Sequence, residues 1–494
     1  MGMVGFDKDA YLTLQSEAIK KRIAQFGGKL YLEFGGKLFD DHHAARVLPG
    51  FSPDTKVNML LQLKEQAEIV IVINAGDIEK NKVRGDLGIT YDLEALRLID
   101  AFRAYGFFVG SVVITQFSGQ FAAERFKTRL EQQGIQVYVH YPIAGYPSDV
   151  AQIVSPEGFG KDEYVETERP LVVLTAPGPG SGKMSVCLSN LYQDHVQGKL
   201  SGYAKFETFP VWNLPLAHPV NIAYEAATAD LDDANMIDPF HLEAYGETAV
   251  SYNRDIEVFP VLETIFERIW GASPYKSPTD MGVNMVGKCI EDKQAVEKAA
   301  KQEIIRRYYA ALCSNLQGFG SKEQITKIEL LLKRAQTGIT DRPVVTKALE
   351  RAEKNGLPAA AVQMPDGEIL AGKDSPLLGA ASATLLNCLK YLAGLDDKVL
   401  LISPEVLAPV QKLKSQHLGT QNPRLGTQET LIALAISAVT DPKAKAAMNE
   451  LSNLAGLEIH STVILSAADE SVFRKLGMHL TCQPQYETQK LYQR

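Results

Sequence analysis

Cysteine is scarce and scattered in this sequence. The chain has five cysteines in 494 residues, and no two of them stand in a C-x-x-C pair. This absence argues against a zinc ribbon and against a dithiol redox motif. The five residues are far apart in the sequence, at Cys187, Cys289, Cys313, Cys388 and Cys482. A chain of this length with such wide cysteine spacing is not a small disulfide-stapled scaffold. Dispersed free thiols are typical of a reducing compartment, so we expect a cytoplasmic protein.

Long apolar runs and an excess of positive charge are also missing. No uninterrupted apolar stretch reaches the ~18 residues that indicate a membrane span. A net charge of −8 gives the chain no general affinity for nucleic acid. The composition, with 45% hydrophobic and 22% charged residues, is that of an ordinary globular protein and excludes disorder. At roughly 150 residues per domain, the length predicts about three domains.

Strand-like runs rich in Val and Ile alternate with helix-like stretches over the first 210 residues. The predicted strands are residues 29–34, 68–73, 111–115, 136–140 and 171–175. Amphipathic helices are predicted between them at 93–105 and 119–133. This alternation is typical of an α/β fold in which helices cover both faces of a parallel sheet. We therefore predict a Rossmann-like sheet, in which ligands bind beyond the carboxyl ends of the strands.

The pattern changes after residue 218. The next region is mainly helical, with helices predicted at 256–270, 292–316 and 322–336. Alternation then resumes, with strands predicted at 359–363, 399–402 and 458–465 and helices between them. We predict three parts: a Rossmann-like α/β domain with a phosphate-binding loop at 1–218, a mainly helical region at 219–340, and a second, smaller α/β domain at 341–494.

The strongest local signal is a P-loop-like sequence, LVVLTAPGPGSGKMS, at residues 171–185. A predicted strand enters a glycine-rich loop and then a helix that extends to about residue 195. Glycines let backbone N–H groups turn inward and approach a phosphate closely, and the start of a helix adds free N–H donors. We predict an anion site formed by Gly178, Gly180, Ser181, Gly182, Lys183 and Ser185.

This loop departs from both common nucleotide-binding patterns. Pro177 stands in place of the first glycine of the Walker A motif, and Met184 replaces its Mg²⁺-binding hydroxyl. The dinucleotide pattern G-x-G-x-x-G fails because Lys183 occupies its last position. The cofactor therefore stays open, as a nucleotide with or without magnesium or another phosphorylated molecule. The alternative interpretation is a tight turn with an exposed lysine.

A second polar cluster, EFGGKLFDDHHAARVLP, follows the first predicted strand at residues 33–49. Asp40 or Asp41 suits the N-cap of a short helix. Asp40 lies three residues before His43, so its carboxylate could orient the imidazole for proton transfer. We name His43 and Arg46 as candidate catalytic residues. The alternative is a capped helix that carries two surface histidines.

A third polar stretch occupies residues 209–241. Pro219 suits the first position of a helix. Four polar residues then fall on one face of that helix, Asn221, Glu225, Thr228 and Asp232. Such a face meets either water or a functional site. We add Glu225, from this face, and Asp230, from the same stretch, to the candidate catalytic residues. Acidic residues here could hold Mg²⁺ beside a phosphate. No spacing supplies a full set of metal ligands, so we assign no metal-binding residues. We also expect no zinc.

Four longer stretches together resemble one protein family. They are FGGKLFDDHHAARVLPGF, APGPGSGKMS, FPVWNLPLAHPVNIAYEAATADL and SPYKSPTDMGVNM. The family comprises bacterial cytosolic proteins of about this length that are classed as a conserved domain of unknown function. The resemblance covers nearly the whole chain. It implies a Rossmann-like amino-terminal region with an appended carboxyl-terminal domain, and it assigns no catalytic residue.

The favoured function is an enzyme that binds a nucleotide or another phosphorylated small molecule. The expected partner is that ligand, with no nucleic acid and no membrane, and a homo-oligomer is left open. Neither H-E-x-x-H nor G-x-S-x-G occurs, so a zinc peptidase and a serine hydrolase have no support. A dehydrogenase would need the dinucleotide fingerprint that is missing. The alternative is a non-catalytic ligand sensor or assembly scaffold, which tight binding without turnover would favour.

Overall fold

The chain folds into two compact units, each with its own sheet. The computed structural model describes residues 5–85 and 87–488. The first unit ends at Ala300 and the second begins at Lys301, within the long helix α13 (Lys293–Leu316). The three-part division at residues 218 and 340 stays a prediction.

The strands and helices of the first unit follow the predicted alternation. The strands are β1 (Leu30–Phe34), β2 (Ala67–Asn74), β3 (Val83–Arg84), β4 (Ile89–Thr90), β5 (Phe108–Thr115), β6 (Gln136–Val139), β7 (Leu171–Thr175), β8 (Gly202–Phe206), β9 (Asn235–Ile237), β10 (Val250–Tyr252) and β11 (Gly282–Val283). The helices that precede α13 are α1 (Lys8–Gln25), α2 (His42–Val47), α3 (Thr55–Leu61), α4 (Ala75–Glu79), α5 (Tyr91–Ala104), α6 (Phe121–Gln132), α7 (Val150–Ile153), α8 (Lys183–Val196), α9 (Pro219–Ala227), α10 (Pro239–Tyr245), α11 (Asn253–Trp270) and α12 (Pro278–Met281).

A seven-stranded parallel sheet organises this unit, in the order β11-β8-β1-β7-β2-β5-β6. The five predicted strands, β1, β2, β5, β6 and β7, are confirmed as members of it. Because all strands are parallel, their carboxyl ends share one edge. The loops at Gly35, Asn74, Gln116 and Gly178 therefore lie along that edge, as predicted.

The apolar strands are buried because helices flank the sheet. Every residue of β1 and β7 is buried, which is why residues 171–174 of β7 form a continuous apolar run rather than an alternating one. The main core cluster joins Val72 and Leu174 of the sheet to Leu188 of α8 and Phe266 of α11. These helices therefore cover one face of the sheet with apolar side chains.

The three helices predicted in the middle of the chain are confirmed as α11, α13 and α14, and short strands that were not predicted accompany them. β11 pairs with β8 and adds a seventh strand to the sheet. β9 and β10 form an antiparallel ribbon. The helix that begins at Pro219 ends at Ala227, so the prediction that one helix carries Asn221 through Asp232 is wrong. Asp232 lies beyond the helix in the left-handed backbone region, with φ of 56°.

The second unit contains a four-stranded mixed sheet in the order β13-β12-β14-β15. Its strands are β12 (Ala359–Gln363), β13 (Ile369–Lys373), β14 (Glu458–Ser461) and β15 (His479–Cys482). Its remaining helices are α14 (Lys322–Arg334), α15 (Pro343–Asn355), α16 (Ala380–Leu392), α17 (Pro404–Lys412), α18 (Thr427–Ser437), α19 (Pro442–Asn449) and α20 (Ala467–Lys475).

One strand predicted for this unit is absent from it. Residues 399–402 have no strand conformation, although Leu401 and Ile402 are buried in the core. Their apolarity reflects burial of a loop, which a short run cannot distinguish from a strand. Across the described ranges, no helix has both the length and the apolarity to cross a membrane.

Candidate functional site

The glycine-rich loop joins β7 to α8 at the carboxyl edge of the sheet. Gly182 is the N-cap of α8, with φ of 91°, a conformation that glycine adopts without strain. No side chain accepts a hydrogen bond at this N-cap. The N–H groups of the first turn therefore point out of a fourteen-residue helix without a side-chain cap. The helix dipole places partial positive charge at the same point, so the turn favours an anion.

Three neighbouring elements hold the loop in shape. The Thr115 hydroxyl at the end of β5 donates a hydrogen bond to the carbonyl oxygen of Ser181, at 2.5 Å. The Asn74 side-chain amide lies 3.5 Å from the Gly180 carbonyl oxygen. A Cβ atom at Gly178 would lie 2.3 Å from the Tyr91 hydroxyl oxygen, so only glycine fits against that ring. The loop is thus braced from β2, β5 and α5.

Ser181 presents a buried hydroxyl within this loop. The residue is 4% exposed, and its Oγ has no hydrogen-bond partner among the described residues. A buried hydroxyl without a partner costs about 1–3 kcal/mol. Such a group is satisfied when a ligand or a water molecule supplies the missing bond.

Lys183 is the lysine of the loop itself; it is the first residue of α8 and is partly exposed. A second lysine, Lys82, has its ammonium 5.0 Å from the centre of the Tyr91 ring, the ring that Gly178 faces, and 3.3 Å from the Asp77 carboxylate. Lys183 therefore supplies positive charge at the loop, while Lys82 is paired with Asp77.

The two residues after Lys183 have different surroundings. Met184 packs against the main core cluster, so its side chain belongs to the interior. Ser185 is partly exposed in the first turn of α8. The position that carries the Mg²⁺-binding hydroxyl in a Walker A motif is therefore a packing position in this chain.

The loop after β1 forms a second part of the edge. Asp41 caps α2 by accepting a hydrogen bond from the Ala44 N–H, and its carboxylate lies 2.6 Å from the Lys56 ammonium. Burial alone would raise the pKa of Asp41, but the buried Lys56 ammonium lowers it. Asp41 rather than Asp40 is thus the cap, while Asp40 pairs with Arg97 at 3.3 Å.

The candidate residues of α2 approach α9. The His43 ring lies 5.2 Å from the Phe209 ring and 5.8 Å from the Tyr224 ring, in edge-on contacts. Tyr224 precedes the candidate Glu225 on α9, and Glu225 is buried. Arg46 is partly exposed in the last turn of α2. The structure therefore brings His43 to the helix that carries Glu225.

The remaining polar residues of the α9 segment have other surroundings. Asp230 is exposed on a short 3₁₀ turn after α9. Asn221 is fully buried; its side chain accepts a hydrogen bond from the Val211 N–H and donates one to the Val211 carbonyl. Asn221 thus fixes the preceding loop and faces neither water nor a site.

The sequence interpretation missed a charged cluster around β8. We call it the β8 cluster, and its residues are Glu33, Tyr203, Lys205, Glu207 and Asp255. The Tyr203 hydroxyl donates a hydrogen bond to the Glu33 carboxylate, at 2.7 Å. The Lys205 ammonium lies 3.2 Å from the Glu207 carboxylate and also bonds to Asp255. These residues were missed because β8 itself was not predicted. A lysine inside an otherwise apolar run, GYAKF, is the signal that could have found them.

Burial sets the protonation of this β8 cluster. Burial raises the pKa of Glu207, an effect that the Lys205 ammonium only partly offsets. For Lys205, burial would lower the pKa, but Asp255 and Glu207 raise it. Lys205 therefore keeps its charge, and Glu207 is the carboxyl that holds a proton most readily. Such a group can donate or accept a proton near neutral pH.

Charged groups of both the glycine-rich loop and the β8 cluster act on the Cys187 thiol. Cys187 lies one turn after Lys183 on α8 and is fully buried. Burial raises the pKa of its thiol well above the usual value; the Glu33 carboxylate adds to this effect, and the Lys183 ammonium opposes it. Glu33 lies opposite Lys205 in the sheet register.

Within residues 5–85 and 87–488, no group of three or more His, Cys, Asp and Glu side chains could hold a metal ion. The first turn of α8 presents backbone N–H groups without a side-chain cap, and the titratable groups of β1 and β8 belong to the same sheet.

Two family models together match nearly the whole chain. The family "Domain of unknown function DUF1846, N-terminal" matches residues 4–336, and "Domain of unknown function DUF1846, C-terminal" matches residues 340–492. The chain is 58% identical over 489 residues to a UPF0371 protein of Streptococcus pneumoniae strain JJA, covering 99% of both chains. It is equally similar to the UPF0371 protein of strain CGSP14.

Proposed function

This chain belongs to the DUF1846 family, whose function is unknown, and we propose that it binds a phosphorylated small molecule through the glycine-rich loop. The phosphate would sit at the first turn of α8, where Gly182 leaves the backbone N–H groups uncapped. Lys183 would add a charge-assisted hydrogen bond, which is worth about 1.5–3 kcal/mol. The rest of the ligand would extend along the carboxyl edge of the sheet.

The buried Ser181 hydroxyl is the observation that carries this proposal. It adjoins the N-cap of α8 and has no partner among the described residues. A phosphate oxygen at the helix start would accept its hydrogen bond and those of the first-turn N–H groups together. An ordinary strand-to-helix turn needs no such donor, and it gains stability when the buried hydroxyl is removed.

Turnover of the ligand is the second part of the proposal. Glu207 is the group best suited to move a proton, because its burial favours the protonated form near neutral pH. His43, Arg46, Glu225 and Asp230 remain candidate catalytic residues. Of these, His43 contacts the aromatic pair Phe209 and Tyr224 beside the β8 cluster.

Binding without turnover, as in a ligand sensor, is the competing function. It is favoured by the charge pairing within the edge, since Asp41 pairs with Lys56 and Lys205 pairs with Glu207 and Asp255. A side chain committed to an internal pair has less freedom to react. The two functions share the phosphate site and differ in what happens to the ligand.

A ligand screen tests the proposal. Native mass spectrometry of protein purified without added ligand, followed by thermal denaturation with inorganic phosphate, nucleotides and sugar phosphates, with and without Mg²⁺, would name the ligand class. A ligand present at 100 times its Kd stabilises the fold by about 2.7 kcal/mol. A phosphorylated compound that raises the Tm supports binding, and its conversion to a product supports an enzyme. If no phosphorylated compound shifts the Tm, the loop is a plain turn.

A further inference from the structure

The glycine-rich loop lies at a point of the sheet where the direction of the chain connections changes. β7 and β2 are paired neighbours. After β7 the chain passes through α8 to β8, on one side of this pair, whereas after β2 it passes to β5, on the other side. Connections that leave adjacent parallel strands in opposite directions open a crevice between them, and ligands of α/β sheets bind there. A ligand held at the first turn of α8 therefore extends toward the residues that follow β2.

Tyr91, the first residue of α5, contacts the loop at this crevice. A side chain at Gly178 would collide with the Tyr91 hydroxyl, so the hydroxyl oxygen lies directly against the loop backbone. Tyr91 is 8% exposed, and no hydrogen bond joins its hydroxyl to another group within residues 5–85 and 87–488. Together with Ser181, it is a second nearly buried hydroxyl at the loop whose hydrogen bond a ligand can supply.

The groups around Tyr91 favour hydroxyl groups of a ligand over a second phosphate. The Lys82 ammonium lies over the Tyr91 ring, and the Asp77 carboxylate lies 3.3 Å from that ammonium. Because Asp77 neutralises Lys82, this pair has no net charge with which to hold another phosphate. A carboxylate accepts hydrogen bonds from hydroxyl groups, and a phenol hydroxyl both donates and accepts them.

The ring of Tyr91 is poorly placed to stack on a nucleobase. It is nearly buried, and the Lys82 ammonium lies 5.0 Å from its centre, over one of its faces. Protein sites that hold a base commonly stack it on an open aromatic face. Tyr91 therefore offers its hydroxyl to a ligand, and not its ring.

We propose that the ligand is a sugar phosphate with a single phosphate group, and that its hydroxyl groups bond to the Tyr91 hydroxyl and the Asp77 carboxylate. This inference rests on the phosphate site proposed above, at the first turn of α8. Lys183 and the uncapped N–H groups hold the phosphate, which any phosphorylated compound supplies. Tyr91 is then the residue that distinguishes a sugar phosphate from phosphate alone.

Titration calorimetry of the full chain with five probes tests the ligand class. The probes are inorganic phosphate, pyrophosphate, adenosine monophosphate, glucose 6-phosphate and ribose 5-phosphate. At least one of the two sugar phosphates should bind about tenfold more tightly than inorganic phosphate, because it adds hydrogen bonds to the same phosphate contact. Pyrophosphate and adenosine monophosphate should not exceed that affinity. Tighter binding of either one than of both sugar phosphates would show that the ligand class is wrong and would leave the phosphate site standing.

Tyr91→Phe tests the residue itself. The change removes a hydroxyl that has no partner in the described chain and keeps the ring, so the fold should persist. Binding of the sugar phosphate should weaken roughly three- to tenfold, while the Kd of inorganic phosphate stays the same. The ratio of these two Kd values within one variant cancels any general loss of folded protein, so an effect of Tyr91 on structure alone leaves it unchanged.

Tyr105→Phe is the matched control, because Tyr105 stands at the opposite end of α5 and is 39% exposed. It should leave both Kd values unchanged. An unchanged Kd ratio in Tyr91→Phe would overturn the role of Tyr91. If none of the five probes binds the unmodified chain, the phosphate site itself is wrong, and the sugar phosphate assignment is wrong with it.

Discussion

The Thr115 hydroxyl donates a hydrogen bond to the Ser181 carbonyl oxygen, with 2.5 Å between the two oxygen atoms. This bond joins the end of β5 to the loop before α8. In a trans peptide the C=O and the following N–H point in opposite directions. Because the carbonyl faces Thr115, the N–H of Gly182 is directed away from it. Thr115 thus orients a backbone donor at the start of α8.

The Lys183 side chain should contribute to ligand affinity and little to stability. We expect Lys183→Ala to weaken binding of a phosphorylated ligand ten- to a hundredfold, because one charge-assisted hydrogen bond is lost. Titration calorimetry with the compound found in the screen measures this. Lys443→Ala is the matched control, since Lys443 lies in the first turn of α19, where Asp441 already caps the helix. Equal affinities for Lys183→Ala and the unmodified chain would contradict the phosphate site.

Substitution of Gly182 should damage both the turn and the site. Its φ of 91° is strained for any L side chain, and a Cβ would lie 3.1 Å from the Thr115 side chain. We expect Gly182→Val to lower the unfolding free energy by about 1–3 kcal/mol and to abolish ligand binding. Chemical denaturation and calorimetry measure the two effects. Gly85→Ala, at a position where a Cβ would meet no atom within 4 Å, should change neither.

Met184→Thr tests whether magnesium is held as in an ordinary P-loop. Because Met184 packs against the core, a threonine here should lose stability and should not tighten binding of a magnesium-nucleotide. The loss should be about 1–3 kcal/mol, as for other shortened core side chains. Calorimetry with and without Mg²⁺ makes the comparison. Tighter binding in Met184→Thr only when Mg²⁺ is present would show that the hydroxyl reaches the metal.

Local sequence patterns predicted those parts of the fold that depend on residues close together in the chain. The Val- and Ile-rich runs of β2 and β7 identify buried strands because both faces are covered. The glycine spacing of residues 178–182 identifies the turn before α8. Each of these features depends on a few neighbouring residues.

Long-range contacts decided what the sequence could not predict. β8 was missed because Lys205 interrupts its otherwise apolar run; the Lys205 ammonium is paired with Glu207 and with Asp255, which lies on α11. The bond from Tyr203 to Glu33 joins residues 170 positions apart, so no spacing rule could find it. Residues 399–402 were predicted as a strand because burial in a loop leaves the same apolar signature.

Replacing Lys205 should cause a loss of stability that depends on pH. Lys205→Met leaves the Glu207 and Asp255 carboxylates without their ammonium partner, which costs about 3–5 kcal/mol when both stay charged. Burial already raises the pKa of Glu207 above its ordinary value of 4.5, and without Lys205 it should rise further. A raised carboxyl pKa favours the folded state below the unfolded pKa, and this advantage is lost as pH rises through the folded pKa. Urea denaturation should therefore show a larger loss of stability at pH 8 than at pH 5.

Lys82→Met, which removes an exposed lysine from Asp77, should show a small loss of stability at both pH values. Equal losses for Lys205→Met at the two pH values would mean that Lys205 does not neutralise Glu207.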